Sequence, residues 1–326
     1  ITETIDQSLG KYAGSWISID IDSQDRPHIA YYAGNEFNAI KYAFRNDTGW
    51  HNYTVDSGID KLGFYSSLKI DSTDNPQIVY SRYSGNHFKY AMYDGSIWHT
   101  ENIGIVTGGD KRNVQLALSD ADVPHICYYE TNTADLGYAT YSGSAWVRDD
   151  EVTPGGIQFD SSDFKGVFCD IEVDEYGSPH ISFEYNTLSY TGKNLGYIVK
   201  NGTSWDGWNI SSVHNDSAIA FTQLELDKSG NPCIAYVDNH EVDTSSRDIY
   251  LNCYNTTSGE LLQRDTGVTH SNHHFSQDDW GRYLDFELDS NDSAHMTFLE
   301  LRSSDYGSIM YYTDNYYPTF DTDGDG

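Results

Sequence analysis

Residues 21–32 read Ile-Asp-Ser-Gln-Asp-Arg-Pro-His-Ile-Ala-Tyr-Tyr, and the phrase recurs five more times along the chain. It returns at Pro76 (DSTDNPQIVY), Pro124 (SDADVPHICYY), Pro179 (DEYGSPHISF) and Pro232 (DKSGNPCIAY), and again with Ala294 in place of proline (DSNDSAHMTF). The intervals are 49, 48, 55, 53 and 62 residues. Each holds four short alternating segments and no helical period. A repeat of about 50 residues built from four strands is the mark of a β-propeller blade. Six copies predict an all-β, six-bladed β-propeller with four-stranded blades.

Asp or Ser stands five residues before each proline position (Asp22, Asp71, Ser119, Asp174, Asp227, Asp289), and Asp or Gly two before it (Asp25, Asp74, Asp122, Gly177, Gly230, Asp292). This is turn chemistry: short carboxylates accept nearby backbone N–H groups, and Asp or Gly tolerates left-handed dihedrals. Each turn supplies too few oxygens to read as a calcium site. Before the turn, apolar residues keep one parity (Ile19 and Ile21, Leu68 and Ile70, Ile171 and Val173), the pattern of a strand packed on one face. The phrase itself opens the second strand, a third follows, and the fourth starts near Trp50, Trp98, Trp146 and Trp205.

The chain ends bear on closure. The last copy stops after its third strand near Tyr312, while residues 2–11 resemble the fourth strand and exit of blade one, Asp6 and Lys11 matching Asp56 and Lys61. Residues 1–6 are therefore expected to supply the outer strand of blade six and hide two open edges. The predicted blades run over 12–58, 62–107, 111–153, 164–213, 218–268 and 280–313 plus 1–6. They make one propeller over residues 1–318, followed by 319–326 as an acidic tail or the start of a calcium-binding repeat.

Fifty acids against nineteen bases give a net charge of −31. Such a surface excludes nucleic acid or an anionic membrane as the default partner and suits cations. No apolar run approaches the roughly 20 residues that cross a bilayer, so membrane insertion is not expected. Seven Asn-x-Ser/Thr sequons (Asn46, Asn52, Asn201, Asn209, Asn215, Asn255, Asn291) point to an extracellular or cell-surface glycoprotein. Among the four cysteines, Cys127 reads as a small buried filler. Cys233 and Cys253 lie on consecutive strands of one blade and could face each other, with reduced thiols at least as expected.

These repeats resemble those of six-bladed β-propellers of the NHL-like and BNR-like kind, found in secreted and cell-surface proteins of prokaryotes. The sialidase Asp-box is approached at Ser23-x-Asp25, Ser72-x-Asp74 and Ser290-x-Asp292, without its following Gly and Trp. The rhythm from Tyr42 to Trp50, Tyr90 to Trp98 and Tyr138 to Trp146 also resembles six-bladed fucose-binding lectins.

Function is expected where copies differ, since variable loops on a rigid scaffold carry recognition. The segments after the second strands hold Glu36, Arg82, Tyr83, Glu130, Glu184, Asp238, His240, Glu300 and Arg302, a mixture suited to a sugar. Arg82 with Tyr83, and Glu300 with Arg302, are the preferred ligand-contacting pairs. The repeated histidines (His28, His125, His180, His295) read as packed and hydrogen-bonded, while His214, His240, His270, His273 and His274 leave room for a metal or a catalytic base. Inner-strand acids, among them Asp20, Glu172, Glu225 and Glu287, either gather around a channel cation or hydrogen-bond within their own blade gaps. Asp321, Asp323 and Asp325 form the first half of a calcium loop, which a downstream domain would complete.

The expected function is non-catalytic recognition of a glycan or a surface protein, with calcium as the one cofactor to consider. A polysaccharide lyase or glycoside hydrolase on the same scaffold is the alternative, and a structural subunit of a surface assembly the third.

Overall fold

The computed structural model describes residues 3–6, 14, 16–34, 36–58, 62–82, 87–106, 113–130, 135–149, 152, 165–186, 193–210, 217–240, 247–256, 258–259, 261–269, 284–289, 291–303 and 306–314. These residues form strands and no helix, in two compact units, Ile1–Val152 and Thr153–Gly326.

The first unit holds three blades. Blade one is β1 (Ser18–Ile21), β2 (Pro27–Tyr32), β3 (Ala39–Asn46) and β4 (Gly49–Ser57). Blade two is β5 (Leu62–Ile70), β6 (Pro76–Arg82), β7 (His87–Tyr93) and β8 (Trp98–Val106). Blade three is β9 (Val114–Leu118), β10 (Pro124–Glu130), β11 (Asp135–Tyr141) and β12 (Trp146–Asp149). In the second unit, blade four is β13 (Lys165–Val173), β14 (Pro179–Asn186), β15 (Lys193–Asn201) and β16 (Ser204–Asn209). Blade five is β17 (Ser217–Leu226), β18 (Pro232–His240), β19 (Arg247–Tyr254) and β20 (Leu261–Thr269). Blade six has β21 (Leu284–Leu288), β22 (Ala294–Ser303) and β23 (Tyr306–Asp314) among the described residues. Strands within a blade are antiparallel neighbours in chain order, and one parallel bridge, Lys193 to Ala218, links blades four and five.

The hairpins between first and second strands are built as the repeat implies. Asp25, Asp74, Asp122 and Asp292 have φ between 57° and 64°, and Gly177 and Gly230 take the equivalent place. The Asp five residues before the proline accepts two backbone N–H groups, as Asp71 does from Thr73 and Asn75. Neighbouring hairpins are also clasped. Asp74 accepts from the Ser23 N–H (2.9 Å) and hydroxyl (2.8 Å), and Asp122 accepts the same pair from Ser72. The Ser-x-Asp string is thus an inter-blade fastening.

The core lies in the gaps between blades. Leu68 of β5 packs with Ala30, Ile40 and Tyr42 of blade one, and Leu116 of β9 with Val79, Phe88 and Tyr90 of blade two. Each buried leucine contributes about 1.5–3 kcal/mol. The equivalent residue of β1, Ile19, is 53 % exposed. Residues 3–6 pack on blade one: Asp6 accepts from Tyr31 and Lys41 much as Asp56 of β4 accepts from Tyr80 and Lys89 of blade two. They stand to blade one as β4 stands to blade two.

One substitution pattern explains the strand-pair packing. Tyr31 faces Lys41 across the β2–β3 ladder and Tyr80 faces Lys89 across β6–β7, whereas Tyr128 faces Gly137 and Phe183 faces Gly196. A Cβ on Gly137 would lie 2.2 Å from the Tyr128 ring, and one on Gly196 2.5 Å from the Phe183 ring. In blades three and four the ring thus lies over glycine where blades one and two set a lysine opposite it.

The cysteines depart from the thiol expectation. Cys233 and Cys253 are directly opposite in β18 and β19 and form a disulfide, and Cys127 and Cys169, both buried, are disulfide-bonded as well. Cys127 is therefore more than a packing filler.

Candidate functional site

Between blades one and two, beside their first hairpins, lies a cleft of about 410 Å³. Its rings come from both blades: Tyr42, Phe44 and Tyr53 from blade one, Tyr93 and Trp98 from blade two. Trp98 meets Tyr42 edge-on and Tyr93 at a tilt, each with centroids 5.4 Å apart, while Phe44 stacks on Tyr53 at an interplanar angle of 12°. Arg26, His28, Asn46, Asp74 and Asn75 supply the polar lining.

The acceptors on this wall are largely engaged. Asp22, behind Arg26, takes the N–H groups of Gln24 and Arg26 at 2.9 Å, the Arg26 Nε–H at 2.5 Å and the His28 Nε2 at 3.1 Å. Burial alone would raise its carboxyl, but these bonds prevail and hold it well below the usual carboxylate range. Both oxygens of Asp74 serve Ser23, and Asn46 Oδ1 accepts from the Thr48 N–H and hydroxyl. Several donors are not engaged. Among the described residues, the Trp98 indole N–H, the Tyr53 and Tyr93 hydroxyls and the Arg26 terminal amino groups have no protein partner.

The His28–Tyr42 pair (2.5 Å) also faces the cleft, but the same pair recurs as His125–Tyr138 (2.7 Å) and His180–Tyr197 (2.5 Å). Burial, with the Asp22 charge behind it, pushes the Tyr42 hydroxyl well above the ordinary phenol range. The repeated histidines are packed and hydrogen-bonded, as their recurrence implies.

None of the described residues singled out in the second-strand segments lines this cleft. Glu36 is exposed in the turn after β2. Arg82 ends β6 opposite His87, and Glu130 ends β10, buried opposite Asp135. Glu184 is buried inside β14 opposite Leu195. Asp238 and His240 belong to β18, and Glu300 and Arg302 to β22. Apart from Glu36, the described ones are strand residues and not loop residues, because pairing continues beyond the repeated phrase, in blade four as far as Asn186 with Lys193. Tyr83, the side chains of Asp238, His240, Glu300 and Arg302, and the string Asp321, Asp323 and Asp325 lie outside the described residues, as do His214, His270, His273 and His274.

Inner-strand acids reach across blade gaps. Asp20 accepts the Ile21 and Ile70 N–H groups at 2.8 and 2.7 Å, and Asp170 accepts the Leu224 N–H at 2.7 Å. Glu172, Glu225 and Glu287 stand opposite His180, Cys233 and His295 in their ladders. No group of three or more His, Cys, Asp or Glu side chains with metal-holding geometry occurs among the described residues.

In the sequence the tryptophans mark strand starts and Arg26 is part of the repeated phrase. Two signals mark the cleft in retrospect. Arg26 is the one basic residue before the proline position, where other copies have Asn75, Val123, Ser178, Asn231 and Ser293. The residue opposite the third-strand tyrosine also differs in every blade that has one resolved: Tyr53, Glu101, Asp149 and Trp208.

No family model and no curated protein matches the chain. Solved structures do resemble it. An ulvan lyase of a new polysaccharide lyase family aligns over 95 % of this chain and 81 % of its own, with TM-score 0.61 and 13 % identity. The AofleA protein of Arthrobotrys oligospora, in a triple arginine mutant, aligns over 95 % and 85 % with TM-score 0.59 and 13 % identity. The Aleuria aurantia lectin, a six-bladed β-propeller with fucose recognition, aligns over 90 % and 93 % with TM-score 0.53 and 13 % identity. At this identity the likeness establishes the fold: a β-propeller, akin to six-bladed lectins and propeller lyases.

Proposed function

We propose that this chain is a secreted or cell-surface, non-catalytic carbohydrate-recognition propeller, and that the cleft between blades one and two binds saccharide. The observation that carries the reading is the set of unengaged donors over an aromatic wall. Sugar rings offer C–H faces to aromatic rings and oxygens to N–H donors, so both halves of the lining match. The lectin and lyase neighbours support carbohydrate as the ligand class. The disulfides support an oxidising compartment. Calcium at residues 321–325 stays a separate proposal, resting on the Asp-x-Asp-x-Asp-Gly string.

A lyase would draw on Tyr42 and His28 as its acid–base pair. Recurrence of that pair in blades three and four gives it a structural duty, and its raised phenol is a poor proton source at neutral pH. Recognition without turnover is therefore the stronger reading.

The test is a printed array of neutral and acidic glycans probed with the parent chain, Arg26→Ala and Trp98→Ala. The parent should retain a defined glycan subset, and each variant, probed at a temperature where it remains folded, should lose at least about tenfold in affinity, roughly 1.4 kcal/mol. Retention of no glycan, or equal retention by all three proteins, overturns the assignment.

A further inference from the structure

The gap after blade two repeats the aromatic frame of the cleft but closes it. In the gap after blade two, Trp146 meets Tyr90 and Tyr141 as Trp98 meets Tyr42 and Tyr93, with centroids 5.3 and 5.7 Å apart. There Glu101 accepts the Trp146 indole N–H at 2.8 Å. On the other side of blade one, Glu3 accepts the Trp50 indole N–H at 2.9 Å and pairs with both Arg45 donors at 2.8 Å. Between blades four and five the corresponding residue is Trp208, whose ring stacks on Tyr197 (5.5 Å) and packs on Tyr254 (5.8 Å).

Glu101, Trp208 and Tyr53 occupy one ladder position, each opposite the third-strand tyrosine of its blade. Glu101 there reaches the next blade's indole and satisfies it. A large ring fills the space. Tyr53 does neither: its side chain leans on Phe44, is 45 % exposed, and leaves the Trp98 N–H without a protein acceptor.

We infer that this position gates the gaps that follow blades one, two and four, and that Tyr53 is the specificity-determining residue that makes the first gap a saccharide site. The ligand part rests on the proposed function; the gating part does not. Because the unengaged groups are mainly N–H and O–H donors, the ligand presents oxygens toward Trp98 and Arg26 and a C–H face toward the rings. Introducing Glu at 53 would hand the indole an internal acceptor and put a carboxylate where the ligand oxygen sits.

Two readouts separate the two parts. The first is solvent exchange of the tryptophan indole N–H protons, followed by NMR in ¹⁵N-labelled parent, Tyr53→Glu and Glu101→Tyr proteins. In the parent, Trp50 and Trp146 should be protected and Trp98 fast. Tyr53→Glu should slow Trp98 by about tenfold or more, and Glu101→Tyr should release Trp146. Unchanged Trp98 exchange in a folded Tyr53→Glu protein overturns the gate whatever the chain binds. The second readout is the glycan array: Tyr53→Glu should lose retention at least tenfold on every glycan the parent retains. Protection of Trp98 with undiminished retention would overturn the gate as a determinant of binding. A parent that retains no glycan would remove the proposed function and leave the exchange comparison to decide the gating.

Discussion

Asp22 shows what one turn residue does in this fold. Its carboxylate gathers two backbone N–H groups, the Arg26 guanidinium and the His28 ring, and through His28 it orients Tyr42 on the cleft wall. Burial opposes its charge and the four bonds outweigh that, so the folded-state pKa lies below the unfolded value of about 4. A carboxyl lowered in the folded state adds stability above the unfolded pKa and gives it up as pH falls toward the folded one. Asp22→Asn should therefore cost about 1–3 kcal/mol at neutral pH. The gap in melting temperature between variant and parent should narrow as pH drops below about 4. An offset that stays constant from neutral pH to the onset of acid unfolding would contradict this role. The turn acids and repeated histidines were legible because six copies average out chance. Arg26 was not, since its value depends on Trp98 and Tyr93, which approach it only once two blades are side by side.

At the scale of the strand, the alternation and the turn chemistry were enough to place the blades. What they did not reveal was where second strands end, because a strand continues as long as its neighbour offers partners, and polar residues such as Glu184 can be buried within it. The Lys-or-Gly choice opposite the second-strand ring was likewise hidden until the register was known. It makes a sharp expectation. Gly137→Ala or Gly196→Ala drives a methyl into a buried ring and should destabilise the fold by about 1–3 kcal/mol, measured by chemical denaturation. An alanine variant as stable as the parent would mean the ring has room to move, against the packing described. By contrast, Asp56→Ala should strand Lys89 and the Tyr80 hydroxyl together and lower stability by about 1–3 kcal/mol. Lys89→Ala in the Asp56→Ala background should then cost less than Lys89→Ala alone; equal costs would deny the coupling.

For the whole molecule, the six copies read from sequence correspond to six antiparallel blades, the fourth and fifth joined by one parallel bridge, and to a fold shared with propeller lectins and lyases. Residues 3–6 dock on blade one as β4 docks on blade two, and the inner-strand Ile19 is exposed where blades two and three bury Leu68 and Leu116. Deleting residues 1–6 should lower the melting temperature by several degrees, since it removes the partners of Tyr31, Lys41, Arg45 and Trp50 together. An unchanged melting temperature would reduce the segment to a tail. The proposed recognition site was the least legible part, because it draws on residues of two blades about 50 positions apart and on a residue, Tyr53, whose meaning is set by the next blade's indole. The most direct measurement of the central claim follows the tryptophan indole signals of the ¹⁵N-labelled parent while the best-retained array glycan is added. The account predicts that the Trp98 signal moves in proportion to bound sugar while Trp50 and Trp146, already capped by Glu3 and Glu101, stay in place. A saturating titration that leaves Trp98 unmoved, or moves all three alike, would contradict it.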